Sequence, residues 1–148
     1  MIITFCGHSE FENTDHYKRK ILMLLEAKAG LAEVDFYLGG YGLFDDLAYE
    51  CAKKYKSVHP GSRLVFITPY MTLDYQKKVL KDKQEKYDMI IYPNIENVPS
   101  RFAISHRNRW MVDVSDFIIA YINHNYGGAY SMYAYAKKRS KEIFNIAE

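Results

Sequence analysis

Short apolar runs and longer segments of helical spacing take turns along the chain. The runs are Ile2–Cys6, Val34–Leu38, Leu64–Ile67, Met89–Tyr92, Phe117–Ile122 and Ile143–Ile146. Runs that are apolar throughout, rather than at every second position, are strands covered on both faces. Between the first two, Tyr17, Ile21, Leu24 and Leu25 fall at helical spacing. A second stripe joins Leu43, Leu47, Ala48, Cys51, Ala52 and Tyr55, and a later one joins Ala129, Met132, Tyr133 and Ala136. Intervals of three and four mark one face of an amphipathic helix. A very polar helix is expected over about Leu73–Tyr87. Ser100, following Pro99, is expected to cap a helix with Ala103, Arg107, Trp110 and Val114 on one face.

Strand–helix alternation at this spacing implies right-handed crossovers and a mostly parallel sheet. The expected fold is a Rossmann-like, three-layer α/β domain with about six strands, formed by residues 1–148 as one unit. In such sheets ligands bind beyond the carboxyl ends of the strands, where the chain order reverses.

Composition narrows the classes. A chain of 148 residues with 49% hydrophobic content can bury a core without metals or staples. No apolar run approaches the roughly 18 residues of a membrane span. The N-terminal MIITFCGHSE reads as a first strand rather than a signal peptide. Cys6 and Cys51 sit in an apolar strand and on an apolar helix face, as packed, reduced thiols do. A cytoplasmic protein is expected. Twenty basic residues stand against 18 acidic ones, a net charge of +2 that gives no footprint for nucleic acid. The 14 tyrosines and 8 phenylalanines suit pocket walls as well as cores.

Three segments follow strands and converge on the expected ligand edge. They are Cys6-Gly7-His8-Ser9, Gly39-Gly40-Tyr41-Gly42 ahead of Asp45 and Asp46, and Asn123 through Tyr126-Gly127-Gly128. Each opens or precedes a helix, where free N–H groups and the helix dipole favour an anion. None fits G-x-G-x-x-G or G-x-x-x-x-G-K-[ST], which counts against nicotinamide redox chemistry and ATP hydrolysis. No cofactor is expected. His8, His106 and His124 lack metal-ligand spacing, so no metal is expected either. Cys6 reads as packing rather than as a nucleophile. Tyr41, Tyr126 and Tyr130 stand in or beside the turns, where rings stack on a base or pack on helices. Arg107 and Arg101 suit phosphate better than the outlying lysines do, because a guanidinium holds it bidentately.

These residues resemble the SLOG superfamily, which groups the LOG phosphoribohydrolases with the Rossmann-like domain of DNA-processing protein A. The likeness is closest to the small standalone bacterial members and runs over nearly the whole chain. Phe5-Cys6-Gly7-His8-Ser9 is similar to the family's C-G-S turn, and Tyr37 to Leu43 resembles its second Gly-rich loop. Ser105 to Met111, Ser115 to Ala120 and Gly127-Gly128 follow the order of its R-K-x-x-M helix, A-D-A-F-I-A strand and P-G-G-x-G-T turn. The resemblance implies that Arg107 binds phosphate or ribose and that Gly127 and Gly128 form the phosphate loop. It also implies a homodimer. One departure is chemical: Ala134 stands where LOG enzymes carry their catalytic glutamate.

The expected function is therefore binding of a nucleotide or nucleotide-derived ligand, ADP-ribose-like or cyclic, by a sensor or sequestering module. The groups expected to hold it are Gly7, His8, Ser9, Gly39, Gly40, Tyr41, Gly42, Arg107, Asn123, Tyr126, Gly127 and Gly128. The rival expectation is an enzyme, a nucleotide N-glycosidase or deoxyribosyltransferase-like hydrolase using Asp45 or Asp46. N-glycosidic cleavage needs a carboxylate beside an oxocarbenium-like ribosyl centre. Acids in a helix's first turn also complement its dipole whatever the function.

Overall fold

Six parallel strands lie in the order β4-β3-β2-β1-β5-β6 in this computed structural model, which describes residues 1–12 and 14–147. They are β1 (Ile2–Gly7), β2 (Asp35–Leu38), β3 (Arg63–Ile67), β4 (Met89–Ile91), β5 (Phe117–Tyr121) and β6 (Ile143–Asn145). The chain builds outward from β1 to β4 and then crosses to the other side of β1 for β5 and β6. The Rossmann-like α/β expectation holds, and the order reverses between β1 and β5.

Each sheet face buries its own cluster. Ile3 and Phe5 of β1 point to one face, with Ile21 and Leu25 of α1 (Asp15–Ala29) and Phe44, Leu47, Cys51 and Tyr55 of α2 (Leu43–Val58). Cys6 points to the other, with Met111 and Val112 of α5 (Ala103–Val114) and Met132 and Ala136 of α6 (Gly128–Lys138). Adjacent strand residues serving opposite helix layers explain why the runs carry no polar alternation. The reading fails at the sheet edges, where Met89 of β4 and Phe144 of β6 are exposed because no further strand among the described residues lies outside them. Both cysteines are free and buried. No helix among the described residues is long and apolar enough to cross a membrane.

Two helical expectations need correction. The polar segment after β3 is not one α-helix: α3 (Leu73–Tyr75) passes through a π-helical turn (Gln76–Leu80) into α4 (Lys81–Lys86). Tyr75, Val79 and Lys83, four apart along this segment, share the face that lines the cavity described below. Ser100 does not cap α5. It begins a 3-10 turn (Ser100–Phe102), the residue before α5 is Phe102, and no side chain caps the helix.

Candidate functional site

The carboxyl ends of β1, β2, β3 and β5 open on one cavity of about 950 Å³, near the upper end of the usual range for small-molecule sites. Gly7, His8, Ser9, Gly39, Gly40, Tyr41, Asp45, Arg107, Tyr126, Gly127 and Gly128 all line it. Gly42, Asp46 and Asn123 do not. Tyr70, Tyr75, Lys83 and Asn108, which no local motif marks as ligand-binding, complete the wall.

The three glycine turns differ in what their glycines do. At Gly7 a β-carbon would run into the ring of Phe44, so this glycine admits a core side chain. In the second turn Gly40 and Gly42 adopt φ +65° and +93°, and their missing β-carbons leave room for Phe66 and for the backbone of Ser9. The N–H of Tyr41 is already taken, donating to Asp45 Oδ2 at 2.9 Å. An acidic side chain at the amide that a phosphate would use makes this loop a poor anion cradle. Gly127 and Gly128 have nothing within 4 Å of a β-carbon position. Gly127 precedes α6, whose first amides point past the helix end.

Arg107 and Asp45 meet around Gly39. The guanidinium and Asp45 Oδ2 each lie 3.4 Å from the position a Gly39 β-carbon would take. Arg107 is only 5% exposed. Its Nη1 donates to the carbonyls of Ile67 (2.7 Å) and Gly39 (3.3 Å), and its Nε donates to Asn108 Oδ1 at 2.9 Å. Nη2 makes none of these bonds, so the residue joins β2 to β3 with one nitrogen and keeps another free. Burial holds its pKa below the ordinary arginine value, and Asp45 acts against that shift. Burial likewise raises the Asp45 carboxyl to about 6, with the Tyr41 amide and Arg107 opposing. Lys83 reaches in from α4 with Nζ 5.0 Å above Phe66, its pKa lowered by burial and then by Lys86.

The bonds to Ile67 and Gly39 make Arg107 a structural residue as well as a cavity one. Arg107→Ala is expected to cost about 1–3 kcal/mol, because it orphans two buried carbonyls. Urea unfolding with and without ligand separates that loss from any loss of affinity. An unchanged unfolding midpoint would show that water replaces the guanidinium at no cost.

On the opposite wall, His8 and His124 stack at 3.5 Å between centroids, and Tyr126 stacks on His124 at 4.0 Å. The N–H of Asn123 donates to His8 Nε2 at 3.2 Å, which leaves the His8 proton on Nδ1. Asn123 thus orients a cavity residue instead of facing the cavity. Burial, and then the neighbouring His124, hold His8 below its ordinary pKa. His124 Nδ1 is buried without a hydrogen-bond partner. His106 is exposed and does not line the cavity, and no cluster among the described residues is placed to hold a metal.

Cys6 donates its S–H to the Ala129 carbonyl at 3.0 Å, and burial raises its pKa. Ala134 is exposed and outside the cavity; the α6 residues that face it are Gly128, Ala129 and Met132. The carboxylate missing from α6 is therefore missing at every position where one would reach a ligand. Of the two aspartates, only Asp45 lines the cavity, and Asp46 is exposed.

No family model and no curated protein sequence matches the chain. A solved structure is similar: DNA processing protein A from Helicobacter pylori, described for its single-stranded DNA binding mode. It has a TM-score of 0.64 and 18% identity over 98% of this chain. The likeness covers 64% of that protein, so this chain spans less than two thirds of its length. At that identity the likeness speaks to the fold, which is Rossmann-like in both.

Proposed function

We propose that the chain is a SLOG-type module that binds a nucleotide or nucleotide-derived ligand, ADP-ribose-like or cyclic, in this cavity. The observation that carries the reading is one enclosure joining the open amide end of α6 to the buried Arg107 and the half-buried Asp45. Phosphate sits at Gly127–Gly128, where amides are free and no side chain intrudes. Ribose hydroxyls donate to Asp45, and the base lies along the Tyr70–Tyr75 wall. The stack of His8, His124 and Tyr126 closes the phosphate end. The second glycine turn shapes the cavity without holding phosphate.

A thermal-shift screen with nucleotides, ADP-ribose species and cyclic dinucleotides tests this, with each ligand recovered and weighed by mass spectrometry. A ligand at about 100 times its Kd stabilises by about 2.7 kcal/mol, a readily measured shift. Recovery intact supports a binding module. Recovery as free base plus ribose phosphate makes the protein an N-glycosidic hydrolase, with Asp45 and not Asp46 as its carboxylate. No stabilisation by any member would sink the reading.

The likeness to DNA processing protein A favours a second reading, binding of single-stranded DNA. Tyr41 and Tyr126 stand exposed at the rim, where rings can stack on successive bases. A net charge of +2 offers little counterion release. Retention of an oligothymidine that nucleotides fail to displace, and that falls steeply with salt, would favour this reading over the first.

A further inference from the structure

We propose that Asn108 is a specificity residue that selects a base bearing a ring carbonyl over one bearing an exocyclic amine. The inference rests on the nucleotide-binding reading and narrows it, because it ranks adenine-bearing ligands, ADP-ribose included, below their oxo counterparts. Asn108 lines the cavity beside Arg107, on the wall shared with Tyr70, Tyr75 and Ile104. Its carboxamide orientation is fixed by chemistry. Arg107 Nε can only donate, so the atom 2.9 Å away must be the Asn108 oxygen. Arg107 is itself pinned by the Ile67 and Gly39 carbonyls, so the guanidinium cannot turn away. The amide nitrogen is therefore the wholly unused group of Asn108, and it can only donate; the oxygen keeps one lone pair beside its bond from Arg107.

Arg107 Nη2, the neighbouring free group, is a donor as well. These two donors, side by side, match the oxygen of guanine, hypoxanthine, uracil or thymine, while the Tyr70 and Tyr75 hydroxyls on the same wall can donate or accept and do not discriminate. The two donors meet the amine of adenine or cytosine donor to donor, and a desolvated donor without an acceptor is costly. Arginine and asparagine read base edges by the same logic in nucleic-acid recognition, where donor and acceptor order decides the base. The aromatic pair Tyr70 and Tyr75, 5.2 Å apart, supplies the apolar surface against which the base lies.

Paired probes test the idea: inosine against adenosine 5′-monophosphate, uridine against cytidine 5′-monophosphate, and ADP-ribose against its hypoxanthine counterpart. Wild-type protein is expected to prefer the oxo member of each pair by about tenfold, within the range for one hydrogen-bond mismatch. Asn108→Asp places an acceptor at the same point and is expected to invert the preference. Asn108→Ala is expected to abolish it. Melting of each variant without ligand confirms that it folds. Equal binding of oxo and amino members by wild type would overturn the assignment while leaving the nucleotide reading intact. So would loss of all binding in Asn108→Asp with no inversion, which would place an anion against Asn108 instead. If no probe binds wild type, both the assignment and the reading beneath it fall.

Discussion

Gly7→Ala is expected to destabilise the protein by about 3 kcal/mol, at the upper end of the overpacking range. The added methyl would overlap Cβ, Cγ and Cδ2 of Phe44. These are the root of the side chain, so no change of rotamer at the ring's far end relieves the clash. Phe44 has nowhere to retreat. It is fully buried and packed edge-on against Phe5 and Phe11 and flat against Tyr121. A double-mutant cycle makes the cause visible. Phe44→Ala alone should cost about 3–5 kcal/mol through the cavity it leaves. In that background Gly7→Ala should cost much less, because Cγ and Cδ2 are gone and only the 2.8 Å approach to the residue 44 β-carbon remains. Urea midpoints for the four proteins give the coupling directly. Additive costs would show that Gly7 is needed for something other than room for Phe44.

Gly7 also shows how far the sequence could be read. Glycine after a strand signalled the ligand edge, and Gly7 does line the cavity. The residue that requires it, however, is Phe44, 37 positions away on α2, and nothing local records that. The turn Gly39–Gly42 was the stronger case of ambiguity. A phosphate cradle and a tight turn use the same residue, and only the Tyr41–Asp45 bond and the approach of Phe66 and Ser9 separate them.

Strand and helix order was legible because apolar runs and helical stripes are local signals set by burial. The cavity wall from Tyr75 to Lys83 was not. Its polar residues read as a solvated helix, and a π-helical turn leaves no mark in the hydrophobic pattern. Arg107 stands out in the sequence by its chemistry, yet its bonds to Ile67 and Gly39 depend on β2 and β3 lying side by side. The orientation of Asn108 follows from those bonds in turn. Residues that act through long-range partners become readable only once the sheet order is known.

Asp45→Asn is expected to stabilise the protein above about pH 6 by up to about 3 kcal/mol, and to do nothing below about pH 4. The carboxyl is raised by burial from an ordinary value of 3.8 to about 6. Below that window both folded and unfolded chains hold the proton, and Asp45 adds no pH dependence. Within it the folded chain keeps a proton that the unfolded chain has released. The unfolded state then binds fewer protons, so stability falls as pH rises. Above it both are ionised, and the folded protein carries a partly desolvated carboxylate with only partial help from the Tyr41 amide and Arg107. Asparagine keeps an oxygen for the Tyr41 N–H and removes the charge. Urea midpoints at pH 4, 5, 6 and 7.5 should show the variant pulling away from wild type across this window. A constant difference at every pH would mean that the carboxylate is hydrated in the folded protein. Ligand binding should respond in the opposite direction, because a neutral amide is a weaker acceptor for ribose hydroxyls than a carboxylate. A residue whose replacement strengthens the fold and weakens the complex has been kept at a cost to the fold. That pair of opposed signs, read on one side chain, distinguishes a site carboxylate from one that only complements the dipole of α2.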